Sequence, residues 1–99
     1  MAVEHDLKTW PAPFAAVLSG AKRHEIRKAD RPFAVGDVLL LREWDPTLAP
    51  TLSGIPFAAP RGYTGRSLRV RVTYITRGGE WGIPEGMCVM SIEPTGGVP

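Results

Sequence analysis

The side chains best suited to chemistry lie in one short stretch, Gly20 to Arg27, which reads GAKRHEIR. From Arg23 onward its residues should alternate across a strand, so that Glu25 and Arg27 share one face and hold each other in place. Lys22 precedes this strand at a corner of the chain, where an ammonium group can stabilise developing negative charge. Because Glu25 is close by, Lys22 is better suited to act as a charged anchor than as a neutral base. We take Lys22 and Glu25 as the leading catalytic candidates.

A few other side chains have the right type for acid–base catalysis without a supporting pattern. A ribonuclease needs a base for the 2′-hydroxyl and an acid for the leaving oxygen. His5, His24, Ser91 and Glu80 fit these roles by type only, and His5 and Ser91 are the weaker catalytic candidates. The chain contains a single cysteine, Cys88, and no Cys-x-x-Cys or His-x-x-x-His spacing. We therefore predict no metal site and no cofactor.

Basic and aromatic side chains are distributed in a way that suits single-stranded RNA. The segment from Arg61 to Arg77 contains five arginines and no acid. If the fold brings this segment to the Gly20–Arg27 stretch, the two form a positive surface for phosphates. Aromatic rings near such a surface can stack bases. The expected RNA-binding residues are Lys8, Trp10, Lys22, Arg27, Tyr63, Arg66, Arg69 and Arg71, with Trp44 and Trp81 as further stacking candidates. The alternatives are a solvated strand face for the arginines and core positions for the tryptophans.

The bulk properties limit the class of protein. The chain has 99 residues, which predicts a single domain over 1–99, and its net charge of +2 is too small to indicate nucleic-acid binding by itself. A lone cysteine fits a reducing compartment. We expect no signal peptide, and no apolar run approaches the roughly 20 residues that a membrane span requires. We predict a cytoplasmic protein with no membrane partner, and the sequence does not define its oligomeric state.

Periodicity predicts five short strands and one helix. The strands are expected over 3–9, 23–28, 38–44, 68–74 and 87–93. The helix should begin at Pro11 or Pro13 and end at Gly20, with Phe14, Val17 and Leu18 packing against a sheet. In the fourth strand, one buried face should contain Leu68, Val70, Val72 and Tyr74.

The segment 45–65 is unusually long and apolar for a loop. It contains four prolines and has no charge from Pro46 to Pro60. Disordered segments are usually polar, so we interpret 45–65 as a lid or flap that packs over part of the fold. The alternative is a self-association surface. Residues 94–99 should form a frayed tail.

The spacing G-x-K-x-x-E-x-R at Gly20–Arg27 resembles the signature of the ASCH domain, a relative of the PUA-type RNA-binding barrels. Nearly the whole chain is similar to the small bacterial and phage ASCH-like proteins of uncharacterised function, with 46–60 the weakest part. The supporting segments are 5–8, 27–31, 35–38, 63–66 and 89–92. The resemblance implies an α+β, mainly β fold, namely a PUA-like mixed β-barrel with an N-terminal capping helix and a long flap loop. It also implies that the motif lines a cleft for RNA or a nucleotide.

Three hypotheses for function follow. The leading one is an RNA- or nucleotide-binding domain with a basic cleft around Lys22, Glu25 and Arg27. The second is a metal-independent hydrolase, since some ASCH-like relatives cleave RNA and others are amidohydrolases acting on modified cytidine. In the amidohydrolase type a threonine stands where this chain has Glu25, which counts against that activity. The third is a protein-interaction module that uses the apolar flap.

Overall fold

The computed structural model describes residues 2–48 and 62–95. Within them, the strands β1 (Glu4–Thr9), β2 (His24–Lys28), β3 (Val38–Trp44), β4 (Tyr63–Arg77) and β5 (Met87–Pro94) form one sheet, and α1 spans Pro11–Ser19. The sheet order is β1-β3-β4-β5-β2, so the first two strands of the chain lie at opposite edges. β1 runs parallel to β3, and the other neighbours are antiparallel. The sheet curls into a half-barrel. Because the described residues form five strands and one short helix, the predicted α+β, mainly β class is confirmed.

The helix begins and ends where its sequence predicts. Pro11 occupies the first turn, where its missing N–H costs no hydrogen bond, and Gly20 ends the helix with a left-handed φ of 87°. Phe14 and Val17 are buried against the concave face of the sheet, but Leu18 is 52% exposed, so its predicted core position is wrong. The sheet contacts the flank of α1 that contains Val17, and Leu18 is turned about 100° away from it.

The core fills the concave face of the half-barrel. Alternate residues of each strand point inward, as a period of two requires. The fully buried side chains include Leu39 and Leu41 of β3 and Met90 of β5. The same inward face also contains two buried carboxylates, Glu25 of β2 and Glu43 of β3.

A register shift changes which face the later part of β4 buries. The pairing of β4 with β5 shifts between Val72 and Tyr74. Tyr74 is therefore 64% exposed, and Ile75 packs against the core in its place. The prediction that Tyr74 shares the buried face of Val72 is wrong, because an irregularity of this kind inserts an extra residue and reverses the alternation.

The predicted flap extended too far toward the C-terminus. Residues 63–65 of the predicted flap belong to the start of β4. Residues 46–48 and 62 of the predicted flap form turns, and residues 49–61 lie outside the described residues, as do residues 96–99 of the predicted tail. In the part of the chain that the structure describes, no helix combines the length and apolar character needed to cross a bilayer.

Candidate functional site

The side chain of Arg27 links the two edge strands across the open side of the half-barrel. Its Nη1 donates to the backbone carbonyl of Lys8 at 3.1 Å, and its Nη2 donates to Thr9 Oγ1 at 3.1 Å. A second arginine, Arg31, donates more weakly to a carbonyl of β1 at 3.4 Å. These guanidinium contacts lie where backbone pairing would close a complete barrel. We call this junction between β1 and β2 the seam.

A buried carboxylate holds two cations at the seam. Glu25 is 3% exposed, and it accepts hydrogen bonds from Arg27 Nε at 3.1 Å and Lys22 Nζ at 3.2 Å. The predicted sharing of one strand face by Glu25 and Arg27 is thus confirmed. Lys22 Nζ also donates to the carbonyl of His24 at 2.6 Å. Two of its three ammonium protons are therefore engaged, and the third is available to a ligand.

The backbone of Lys22 is fixed by the end of α1. The left-handed Gly20 turns the chain back, and the Lys22 N–H donates to the carbonyl of Ala16 at 3.0 Å. The next strand begins two residues later, at His24. The helix stop therefore sets the position of the lysine, and preorganisation of this kind lowers the ordering cost of binding.

A cleft of about 300 Å³ opens at the seam. Three of its lining side chains are cationic and one is anionic, so its local charge is positive. Trp10 forms one wall and is 54% exposed. The lining residues are Lys8, Thr9, Trp10, Pro13, Lys22, Glu25, Ile26 and Arg27. The site residues predicted from the sequence do not include Thr9, Pro13 and Ile26, although the alternation of β1 indicates the inward position of Thr9.

A second tryptophan supports this wall. The ring centroids of Trp10 and Trp44 are 5.9 Å apart, and Lys8 Nζ lies 4.2 Å from the centroid of Trp44. This cation–π contact holds the Lys8 ammonium beside the cleft. Behind Trp44, a Cβ atom added to Gly62 would lie only 2.2 Å from the indole Nε1. The glycine backbone thus permits the ring to occupy its position.

The predicted positive surface shared by the two basic segments is not formed at the cleft. No described residue of 62–77 lines the cleft. Arg69 and Arg71 alternate with the buried Val70, so they lie on the convex face of the sheet. Arg69 pairs there with Glu4 at 2.8 Å, and the hydrogen bond from Arg69 lowers the pKa of Glu4.

Two further residues of the predicted RNA-binding set have intramolecular partners. Arg66 Nε donates to Glu43 Oε1 at 2.9 Å, and Thr64 Oγ1 donates to the same oxygen at 2.8 Å. Together they lower the pKa of Glu43, with Arg66 as the larger cause. The ring of Tyr63 lies under the guanidinium of Arg42, 4.1 Å from its centroid. Arg66 and Tyr63 therefore stabilise the start of β4 rather than line the cleft.

The weaker catalytic candidates also lie outside the cleft. His5 is buried, its Nε2 lies 2.8 Å from Asp37 Oδ2, and its ring meets Phe33 edge-on at 4.7 Å. Burial raises the pKa of Asp37, but hydrogen bonds from His5 and two backbone N–H groups outweigh burial and lower it. Ser91 pairs with His24 on the convex face, opposite to the face of Glu25.

Other candidates remain at the surface or in the core. Trp81 is 90% exposed in the turn after β4, near Glu80. Burial raises the pKa of the Cys88 thiol, which makes it a poor nucleophile. Among the described residues, no three His, Cys, Asp or Glu side chains are grouped closely enough to hold a metal ion.

Together these features define a small, mainly β domain with a helix-capped half-barrel and a cationic cleft at its seam. The chain belongs to the family described as a domain of unknown function, DUF3850, whose model matches residues 4–92. This match includes every residue that lines the cleft. The chain is also similar to the "Uncharacterized 12.9 kDa protein in GpA 3′ region" of Escherichia phage P2, with 36% identity over 81 residues. The aligned part is 82% of this chain and 62% of that protein, so the chain spans less than two thirds of the curated relative it matches.

Proposed function

We propose that this protein is an ASCH/PUA-like domain that binds RNA or a nucleotide in the cleft at the seam. One observation carries the proposal: Lys8, Lys22 and Arg27 converge on the same cleft as the exposed ring of Trp10. Cationic side chains neutralise phosphate, and an exposed indole stacks a base. A nucleotide presents both groups a short distance apart.

The donors that remain at the seam suit phosphate oxygens. Arg27 uses three of its five N–H groups on Glu25, Lys8 and Thr9, which leaves two for a ligand. Lys22 keeps one ammonium proton beyond its contacts with His24 and Glu25. The cleft volume of about 300 Å³ lies at the small end of ligand sites, which favours a single nucleotide unit in this cleft.

Binding accounts for the geometry better than hydrolysis does. Both carboxylate oxygens of Glu25 are held by cations, so its role in the proposed site is to position Lys22 and Arg27. His5 and Ser91, which could act as acid or base, lie outside the cleft. We retain the cytoplasm as the predicted location, because a lone cysteine fits a reducing compartment.

The test is the binding of a labelled single-stranded RNA over a range of salt concentrations, with cleavage of the same RNA assayed in parallel. Lys22→Gln removes the central cation, and Lys28→Gln is the matched control, because Lys28 is an exposed lysine of the same strand region outside the cleft. We expect Lys22→Gln to weaken binding about tenfold and to reduce the salt slope by about one, while Lys28→Gln changes little.

The outcomes separate the hypotheses. Equal effects of the two lysine variants, or no salt-dependent binding by the wild type, would contradict the proposal. Cleavage by the wild type that is lost in Lys22→Gln while RNA binding persists would instead identify a hydrolase.

A further inference from the structure

A second, smaller groove adjoins the cleft, and Lys22 lines both of them. The groove has a volume of about 170 Å³ and lies between the end of α1 and strands β4 and β5. Its walls are largely apolar, and they include Leu18, Leu68 and Ile92. Arg23 lines it next to Lys22, which places two cations at the end that meets the cleft.

We infer that this groove receives the base of the neighbouring nucleotide, so that the ligand is an oligonucleotide of at least two units. The inference rests on the proposed function and extends it from one nucleotide to two. The base at the seam stacks on Trp10, the phosphodiester lies at Lys22, and the second base enters the groove.

The charges and surfaces on the two sides of Lys22 favour this occupant. An apolar wall suits the face of a base, because burying that face removes apolar surface from water. The linking phosphodiester is anionic and needs a cation between the two bases, which is where Lys22 lies. Glu93 also lines the groove and disfavours a phosphate deep within it. A mononucleotide would leave the groove and its exposed Leu18 unused.

The backbone of Lys22 and Arg23 forms a ridge between the cleft and the groove, and this ridge is rigid enough to separate two bases. The N–H of Lys22 is held by Ala16 of α1, and the carbonyl of Arg23 accepts a hydrogen bond from Ile92 of β5 at 3.1 Å. Both neighbouring elements thus fix the backbone of the ridge. A ligand that crosses it must place a flexible, charged link there, which a phosphodiester provides.

The experiment compares three ligands by calorimetry on the full chain: a nucleoside 5′-monophosphate, the 3′,5′-bisphosphate of the same nucleoside, and the matching dinucleotide with a 5′-phosphate. The bisphosphate supplies the second phosphate without a second base. The variant Leu18→Gln alters the groove at a half-exposed position, and Val35→Gln, 61% exposed and away from both compartments, is the control.

We expect the dinucleotide to bind about tenfold more tightly than the monophosphate and more tightly than the bisphosphate. Leu18→Gln should remove most of that gain while leaving monophosphate affinity unchanged, and Val35→Gln should alter neither. A bisphosphate as tight as the dinucleotide, or a dinucleotide gain that survives in Leu18→Gln, would overturn the second subsite while the proposed function stands. If neither the monophosphate nor the dinucleotide binds, the second subsite is overturned, and the proposed function is rejected as well if labelled single-stranded RNA also fails to bind.

Discussion

The guanidinium of Arg27 donates to the backbone carbonyl of Lys8 at 3.1 Å, although the two residues belong to strands at opposite edges of the sheet. The same side chain reaches Thr9 Oγ1 and the buried Glu25. One residue therefore combines the closure of the half-barrel with the positioning of charge in the cleft.

Arg27→Lys should destabilise the fold, because an ammonium group cannot bridge Glu25, Lys8 and Thr9 at once. We expect a loss of about 1–3 kcal/mol in the free energy of unfolding, measured by urea denaturation. Amide exchange in β1 should also become faster. The matched change Arg71→Lys, on the convex face of β4, should stay within about 0.5 kcal/mol of wild type. If the two variants are equally stable, Arg27 does not hold the seam.

Trp10→Ala should weaken RNA or nucleotide binding if the exposed indole stacks a base. The expected loss is about 1–3 kcal/mol of binding free energy, measured by calorimetry. Trp81→Ala removes the same side chain from a turn where it is 90% exposed, outside the cleft, and should leave affinity unchanged. Similar losses in both variants would show that the tryptophans act through something other than the cleft.

Gly62→Ala should cost more stability than Gly65→Ala, although both glycines have left-handed φ angles of 90° and 95°. The angle alone costs a substituted alanine about 1–2 kcal/mol in either case. A Cβ at Gly62 would also lie 2.2 Å from Trp44 Nε1, whereas nothing lies within 4 Å at Gly65. We expect about 1–3 kcal/mol of additional destabilisation for Gly62→Ala in urea denaturation. Equal losses would mean that the ring of Trp44 moves aside at no cost.

The free energy of unfolding should fall as the pH drops below 3.8, the ordinary pKa of an aspartate such as Asp37. Burial alone would raise the pKa of Asp37, but the hydrogen bonds from His5, Val3 and Ala34 lower it in the folded state. A carboxylate with a lowered pKa stabilises the fold above its unfolded-state value and loses that contribution as the pH falls through its folded-state value.

Asp37→Asn should therefore reduce the loss of unfolding free energy that accompanies a fall in pH. Urea denaturation between about pH 2 and about pH 6 measures this loss, because that range brackets the pKa of a carboxyl group. Some slope should remain, because the pKa of Glu43 is lowered as well, chiefly by Arg66. The exposed Asp30→Asn provides the control for removing one surface carboxylate. If the unfolding free energy of Asp37→Asn depends on pH as it does in the wild type, the Asp37 carboxylate does not contribute to stability in this way.

Local features of this chain could be predicted from its sequence. The left-handed Gly20, the shared face of Glu25 and Arg27, and the bounds of β3 follow from short-range sterics and a two-residue period. The extended backbone of Trp10 at the junction between β1 and α1 also follows from its position before Pro11.

The long-range arrangement was not predictable in the same way. The register of β1 beside β3, which brings Lys8 and Thr9 to the seam, depends on pairing between distant segments. The shift after Val72 inverted the predicted faces of β4. The convex position of Arg69 follows from alternation with the buried Val70. The number of arginines in 61–77 instead suggested that they line a shared cleft with the Gly20–Arg27 stretch.

The cleft lies between strands that are not neighbours in the hydrogen-bonded order, so its two walls approach each other only when the sheet curls. A molecule that bridges Lys8 on one wall and Lys22 on the other would resist uncurling. Occupancy would then raise the melting temperature in proportion to the logarithm of ligand concentration. A thermal-shift screen of the intact chain thus becomes a direct assay for whatever fills the gap.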